Sequence, residues 1–385
     1  MTPIIVMFLL SATAPLQSPP TSPAGNDPIA TLSRRLERTR GLSFKHPVPS
    51  RHLSVDVAAT AIAEIVERDA PQSDMKSDQL LLAALGLIPP DYDLYRGTLA
   101  LLSDQVAGFY DPYSKQFVIV DFPDNHPMKA AIDAAGDSIL IHELDHALTD
   151  QQFDILKMLG TKQHRDRDDQ LMARRALAEG DATLAMMLDA LKQAGSDPKP
   201  ETFPLDAMVE QIAQASVAAS PALQQSPQIV RAAIIEPYRL GLRYVGDTWK
   251  RGGWAAVDAL WKSPPNSTEQ LLHADKQSDA PQRISASSAP DKSRLVASTE
   301  LGELGMRLLL ATKSAADVAE RAAAGWDGDL VELFHDDKGQ ARIRLTSIWD
   351  TAGDALEFAA ALSAVCGCTP PAASDTHRLI VEWTP

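Results

Sequence analysis

Residues Ile139–Asp154 carry two histidines and four acidic side chains within a stretch that is otherwise largely apolar. Ile139, Leu140 and Ile141 lead into it and Ala147 and Leu148 continue it, which predicts a buried helix. His142 and His146 frame an H-E-x-x-H pattern. Four positions apart on a helix, both imidazoles project from one face and reach a single metal ion. Glu143 lies about 100° further round, where its carboxylate reaches water at that ion without being a strong ligand. Zinc lowers the pKa of such a water to about 7, which gives Glu143 the role of general base. Buried histidines and acids are costly unless something satisfies them, and a divalent cation does.

A metal site needs a further ligand. Glu179 is the candidate, 33 positions after His146 (179 − 146) in a predicted helix over Leu171–Leu191. It stands among small and apolar residues, from Ala176 to Ala182, where a carboxylate without a partner is poorly solvated. Those small neighbours are expected to let its helix approach the metal helix closely. Asp181 is two positions on and faces away, as an acceptor for a ligand imidazole or as a structural contact. His164 is the alternative third ligand, in the charged loop Gln163–Asp169.

With 385 residues, 45% hydrophobic and 23% charged, the chain has ample material for a core and for one large domain or two. Its net charge of −15 argues against nucleic acid and anionic membrane as partners. The apolar run Ile4–Leu10, followed by Ser11, Ala12, Thr13 and Ala14, is too short to span a bilayer but has the form of a secretory leader. No basic residue precedes it, the first being Arg34. The expected location is periplasmic or extracellular, with no integral membrane segment in the mature chain. Pro15–Pro28 reads as a linker. The only cysteines, Cys366 and Cys368, form either a small disulfide or two free thiols.

Helices are expected over Ser54–Asp69, Gln79–Leu87, Tyr92–Val106 and most of 203–262, with a break at Gly252-Gly253. Gly108–Val120 predicts a β-hairpin directly before the metal helix, which Pro127 would open. Phe117–Val120 is either the strand on which extended substrate pairs or an ordinary structural strand. His273 ends a short helical turn after Pro264-Pro265; it is either structural or a donor to an oxyanion at the metal. Beyond residue 281 the pattern is a polar loop, two helices, a hairpin over Leu330–Ile348, a helix over Ala355–Ala364 and a strand over Leu379–Trp383.

Several blocks recur together here: the hairpin Gly108-Phe109-Tyr110-Asp111-Pro112, the H-E-x-x-H stretch, Glu179-Gly180-Asp181-Ala182, Pro237-Tyr238, Pro264–His273, Gly325–Asp329 and Trp349–Phe358. In this order they resemble a family of bacterial, largely uncharacterised H-E-x-x-H proteins of the gluzincin type, with the resemblance running from about Leu85 to Phe358. It implies His142, His146 and Glu179 as zinc ligands, Glu143 as base, and Tyr110, Tyr238 and His273 near the cleft. Thermolysin-like enzymes carry an acid four positions after the ligand glutamate; here that residue is Thr183, and Asp181 is the candidate replacement.

The expected fold is α+β: a mainly helical, zincin-like catalytic core over 29–280, with a β-hairpin before the H-E-x-x-H helix. A smaller C-terminal α+β region, 281–385, packs on it, and 1–28 is leader and linker. The expected activity is a zinc metallopeptidase acting on peptide or protein substrates, with Glu143 as base and Tyr110 or His273 as oxyanion donor. The alternatives are a zinc-stabilised scaffold without hydrolysis and a zinc hydrolase of a non-peptide amide. Nothing in the sequence identifies the oligomeric state.

Overall fold

A computed structural model of the chain describes residues 28–103, 107–126, 129–130, 133, 136–160, 167–290, 292–368 and 377–385. The leader, Pro127 and His164 lie outside the described residues. The fold is α+β. Its N-terminal part comprises α1 (Pro28–Arg40), β1 (Ser50–Ser54), α2 (Val55–Asp69), α3 (Gln72–Ala84), α4 (Leu94–Ser103), β2 (Gly108–Asp111) and β3 (Gln116–Asp121). The helical middle contains α5 (Asp137–Phe153), α6 (Ile155–Leu159), α7 (Asp168–Gln193), α8 (Leu205–Ala219), α9 (Pro221–Gln225), α10 (Gln228–Lys262) and α11 (Glu269–Leu272). The C-terminal part is β4 (Ser293–Thr299), α12 (Gly302–Ala311), α13 (Ala316–Ala323), β5 (Trp326–Asp336), β6 (Ala341–Trp349), α14 (Ala352–Cys366) and β7 (Arg378–Trp383).

The expected hairpin is β2–β3, with Tyr110 opposite Phe117. It gains a neighbour that the sequence did not announce, because β1 pairs parallel to β3 from Ser50–Phe117 to Ser54–Asp121. The order is therefore β1-β3-β2. Phe117–Val120 has a strand on each side and no edge left for substrate, which corrects that expectation. The local sequence of β1, Ser-Arg-His-Leu-Ser, lacks the apolar alternation that marks a half-buried strand.

Every residue from Ile141 to Asp150 in α5 is buried. The helix lies between α1, α7 and the hairpin, and Leu36 of α1 shares a core cluster with Ile141, Leu144 and Leu148. Helix α7 is held along its length by charged contacts. Arg35 of α1 pairs with Asp189 at 2.8 Å, and the fully buried Arg40 places its Nε and Nη2 on Asp181 at 2.8 and 2.9 Å.

The small residues around Glu179 meet a second helix besides the expected one. A Cβ on Gly180 would lie 2.2 Å from the Gly241 backbone, and one on Gly241 would lie 2.0 Å from the Ala176 carbonyl oxygen. At these glycines the backbone contact is between α7 and α10, while Ala185 of α7 packs with Ile141, Leu144 and Leu148 of α5. It brings the segment after Pro237 in α10 against Glu179. Helix α10 bends at Gly252 and Gly253, the latter at φ +64°, where the break was expected.

The second sheet has the order β4-β5-β6-β7, antiparallel throughout. Trp326 lies opposite Trp349 across the β5–β6 pair, and the Trp349 ring packs on Phe358 of α14 at 4.5 Å. This sheet and its helices share one apolar core with Leu81 of α3 and Leu177 of α7. Two elements hold the start of α7: Thr299 of β4 donates its hydroxyl to Asp168, while the amide and hydroxyl of Thr268, just before α11, both donate to Asp169. Acids in a first helical turn also complement the helix dipole. Cys366 and Cys368 form a disulfide. Among the described residues no helix is long and apolar enough to cross a membrane.

Candidate metal centre

His142 and His146 come from one face of α5, and Glu179 comes from the middle of α7. All three are fully buried. Their ligand atoms form a small triangle: His142 Nε2 to Glu179 Oε2 is 3.2 Å, His146 Nε2 to Glu179 Oε2 is 3.5 Å, and the two Nε2 atoms are 3.1 Å apart. A tetrahedral ion with bonds of about 2.0–2.1 Å separates its ligands by about 3.3 Å, so the triangle has the size of one face of such a site. Among the described residues this is the one cluster of histidine, cysteine and acidic side chains close enough to share an ion.

The electrostatics suit a cation. Burial, with His142 alongside, lowers the pKa of His146 to about 4, so its imidazole is neutral at neutral pH and offers a lone pair. Burial works against ionisation of Glu179, but His142 and His146 outweigh it and hold the carboxyl below its ordinary value. The donor set thus includes the neutral His146 imidazole and the ionised Glu179 carboxylate, the chemistry preferred by zinc-like ions.

Glu143 is fully buried beside this group. Its Oε2 accepts the backbone N–H of Tyr110 at 2.8 Å, while Oε1 has no hydrogen-bond partner among the described residues. Burial first, and then the charge of Glu179, raise its pKa well above the ordinary carboxylate value. A base with a raised pKa works closer to neutral pH.

Of the two tyrosines expected near the cleft, only one turns its side chain to the metal group. The Tyr110 hydroxyl is committed to Asp150 at 2.6 Å, and Lys115 Nζ meets the same carboxylate at 2.7 Å. Asp150 stands four positions after His146 on α5, so the hairpin is clamped to the metal helix at Glu143 and again at Asp150. Tyr238 of α10 is the tyrosine whose side chain faces the metal group. Its ring stacks on His142, with centroids 6.0 Å apart, and its hydroxyl approaches Glu179. Burial and then the charges of Glu179 and Glu143 raise its pKa, so it remains an O–H donor.

His273 is not brought to this group. Its Nε2 meets Glu303 Oε1 at 2.9 Å and Arg307 at 3.5 Å, both on α12. Asp181 proves to be the structural contact: beyond Arg40 it accepts the Trp261 indole N–H at 2.7 Å. Arg175, one turn before Glu179, was not anticipated. The signal was available, since it is a charge in the same Ala-rich helical face that drew attention to Glu179.

Comparison with known families finds one match, to a family described as Domain of unknown function (DUF8575), over residues 293–378. That stretch runs from β4 through α14 and includes Thr299, which holds the start of α7, but none of the metal-centre residues. No curated protein and no solved structure matches the chain.

Proposed function

We propose that the chain is a zinc-dependent metallopeptidase with a zincin-like core. The observation that carries this reading is the free Oε1 of Glu143, buried one position from His142 beside three neighbouring ligand atoms. Zinc held by His142, His146 and Glu179 would supply Lewis-acid polarisation of the carbonyl and of the attacking water. Glu143 takes the water's proton on Oε1 and returns it to the leaving amine, while the Tyr110 N–H fixes its other oxygen. Tyr238 replaces Tyr110 and His273 as the donor to the developing oxyanion. The Cys366–Cys368 disulfide suits an oxidising compartment, in keeping with export.

Complete burial of the three ligands favours the second reading, a zinc-stabilised protein that hydrolyses nothing. Glu143 weighs against it, because a structural site has no use for a base there. Cleavage of a diverse peptide library, before and after chelation and after zinc is restored, tests the choice. The peptidase reading predicts activity that is lost with the metal and returns with it; zinc binding without cleavage of any peptide or protein substrate contradicts it.

A further inference from the structure

Arg175 is only 6% exposed, yet it has no hydrogen bond or ion pair among the described residues. The other deeply placed arginines are all engaged. Arg40 lies on Asp181 and Asp258, Arg35 on Asp137 and Asp189, and Arg174 donates to the Met158 carbonyl and to Asn266. A guanidinium has five donors in a fixed fork. None of the Arg175 nitrogens is among the buried atoms left without a partner, so the fork of this largely buried side chain is open to solvent and to an incoming anion.

Its position gives the open fork a use. Arg175 precedes Glu179 by four positions on α7, so their Cβ atoms are about 5–6 Å apart on one face. It interacts electrostatically with Glu179 and Tyr238, the ligand and the tyrosine of the metal centre. We propose that Arg175 binds a carboxylate of the substrate, in a bidentate pairing that sets which peptide bond reaches the metal centre. The inference rests on the metallopeptidase reading and names its substrate class. Two groups offer that chemistry: the C-terminal α-carboxylate and an acidic side chain.

Isothermal titration of the zinc-loaded full chain carrying Glu143→Gln separates them. Three peptides of one sequence serve as probes: one with a free C-terminal carboxylate, its C-terminal amide, and the amide with glutamate near its end. Either carboxylate peptide should bind about 10- to 100-fold more tightly than the plain amide, the range expected for a charged hydrogen-bonded pair. Which one gains identifies the source. Adding Arg175→Gln should remove the preference, and adding Arg175→Lys should keep part of it, since lysine retains the charge but not the fork.

Equal affinity for all three peptides overturns the assignment. So does a preference that survives Arg175→Gln, with zinc content and melting temperature as controls; if that variant does not fold, an undiminished preference in Arg175→Lys overturns the bidentate pairing. Cleavage by the wild type is measured in parallel. Cleavage without carboxylate preference rejects the role of Arg175 and leaves the peptidase reading intact. Carboxylate binding that depends on Arg175, with no cleavage, rejects the peptidase and leaves the binding role.

Discussion

The backbone N–H of Tyr110 and the Oε2 of Glu143 are 2.8 Å apart, and this bond joins the edge of the hairpin to the metal helix. It divides the work of Tyr110. The backbone orients the proposed base, while the side chain fastens the hairpin through Asp150. Tyr110→Phe should therefore destabilise the protein by about 2 kcal/mol, the scale of a hydrogen bond to a buried charge. Zinc content and cleavage should be little changed. Urea denaturation alongside kinetics checks this; a tenfold loss of turnover with zinc retained would give the hydroxyl a part in the chemistry.

Tyr238→Phe should behave in the opposite way. Its ring packing on His142 is preserved, so stability and zinc content should hold. Loss of the oxyanion donor should lower kcat by about 100-fold or more. Unchanged kcat would remove Tyr238 from the mechanism.

The contact of Gly180 with Gly241 sets how Glu179 is presented. Because an added Cβ meets backbone at 2.2 Å, it has no flexible side chain to displace. Gly180→Ala should cost about 3 kcal/mol and reduce zinc binding, as α7 and α10 are forced apart. Calorimetry with metal analysis measures both, and a variant of native stability and zinc content would show that the crossing tolerates separation.

Away from the candidate metal centre, burial and the neighbouring Asp329 raise the pKa of Asp169 to about 7, and burial raises Asp329 to about 6. Both groups hold their protons more tightly in the folded chain than in the unfolded one. Their contribution to stability is complete below pH of about 4, the unfolded carboxylate value, and is lost as pH rises through the folded values. Asp169→Asn should gain melting temperature relative to the wild type between pH 4 and 8. A difference that does not change with pH contradicts this.

How much of this could be read from the chain depended on the range of the signal. The spacing of His142 and His146 is a property of one helix, so it carried directly into the geometry. Glu179 was recognisable because a carboxylate amid small apolar residues needs a partner. The pairing of β1 with β3 joins residues more than 60 positions apart and left no local mark. The partner of Gly180 was equally invisible, since small residues announce a close approach but not by which helix. His273 had a local pattern that fitted a donor, but Glu303 and Arg307 on α12 claim it. Tyr110 stood in the right strand, and only the fold showed that its amide, not its hydroxyl, faces Glu143.

The most direct test pairs two measurements on two proteins: zinc content and peptide cleavage, for the wild type and for Glu143→Gln. The substitution keeps the shape of the side chain and removes the base. The account predicts one zinc per chain in both and cleavage by the wild type alone. Failure of either protein to bind zinc after reconstitution, or equal cleavage by both, would contradict it.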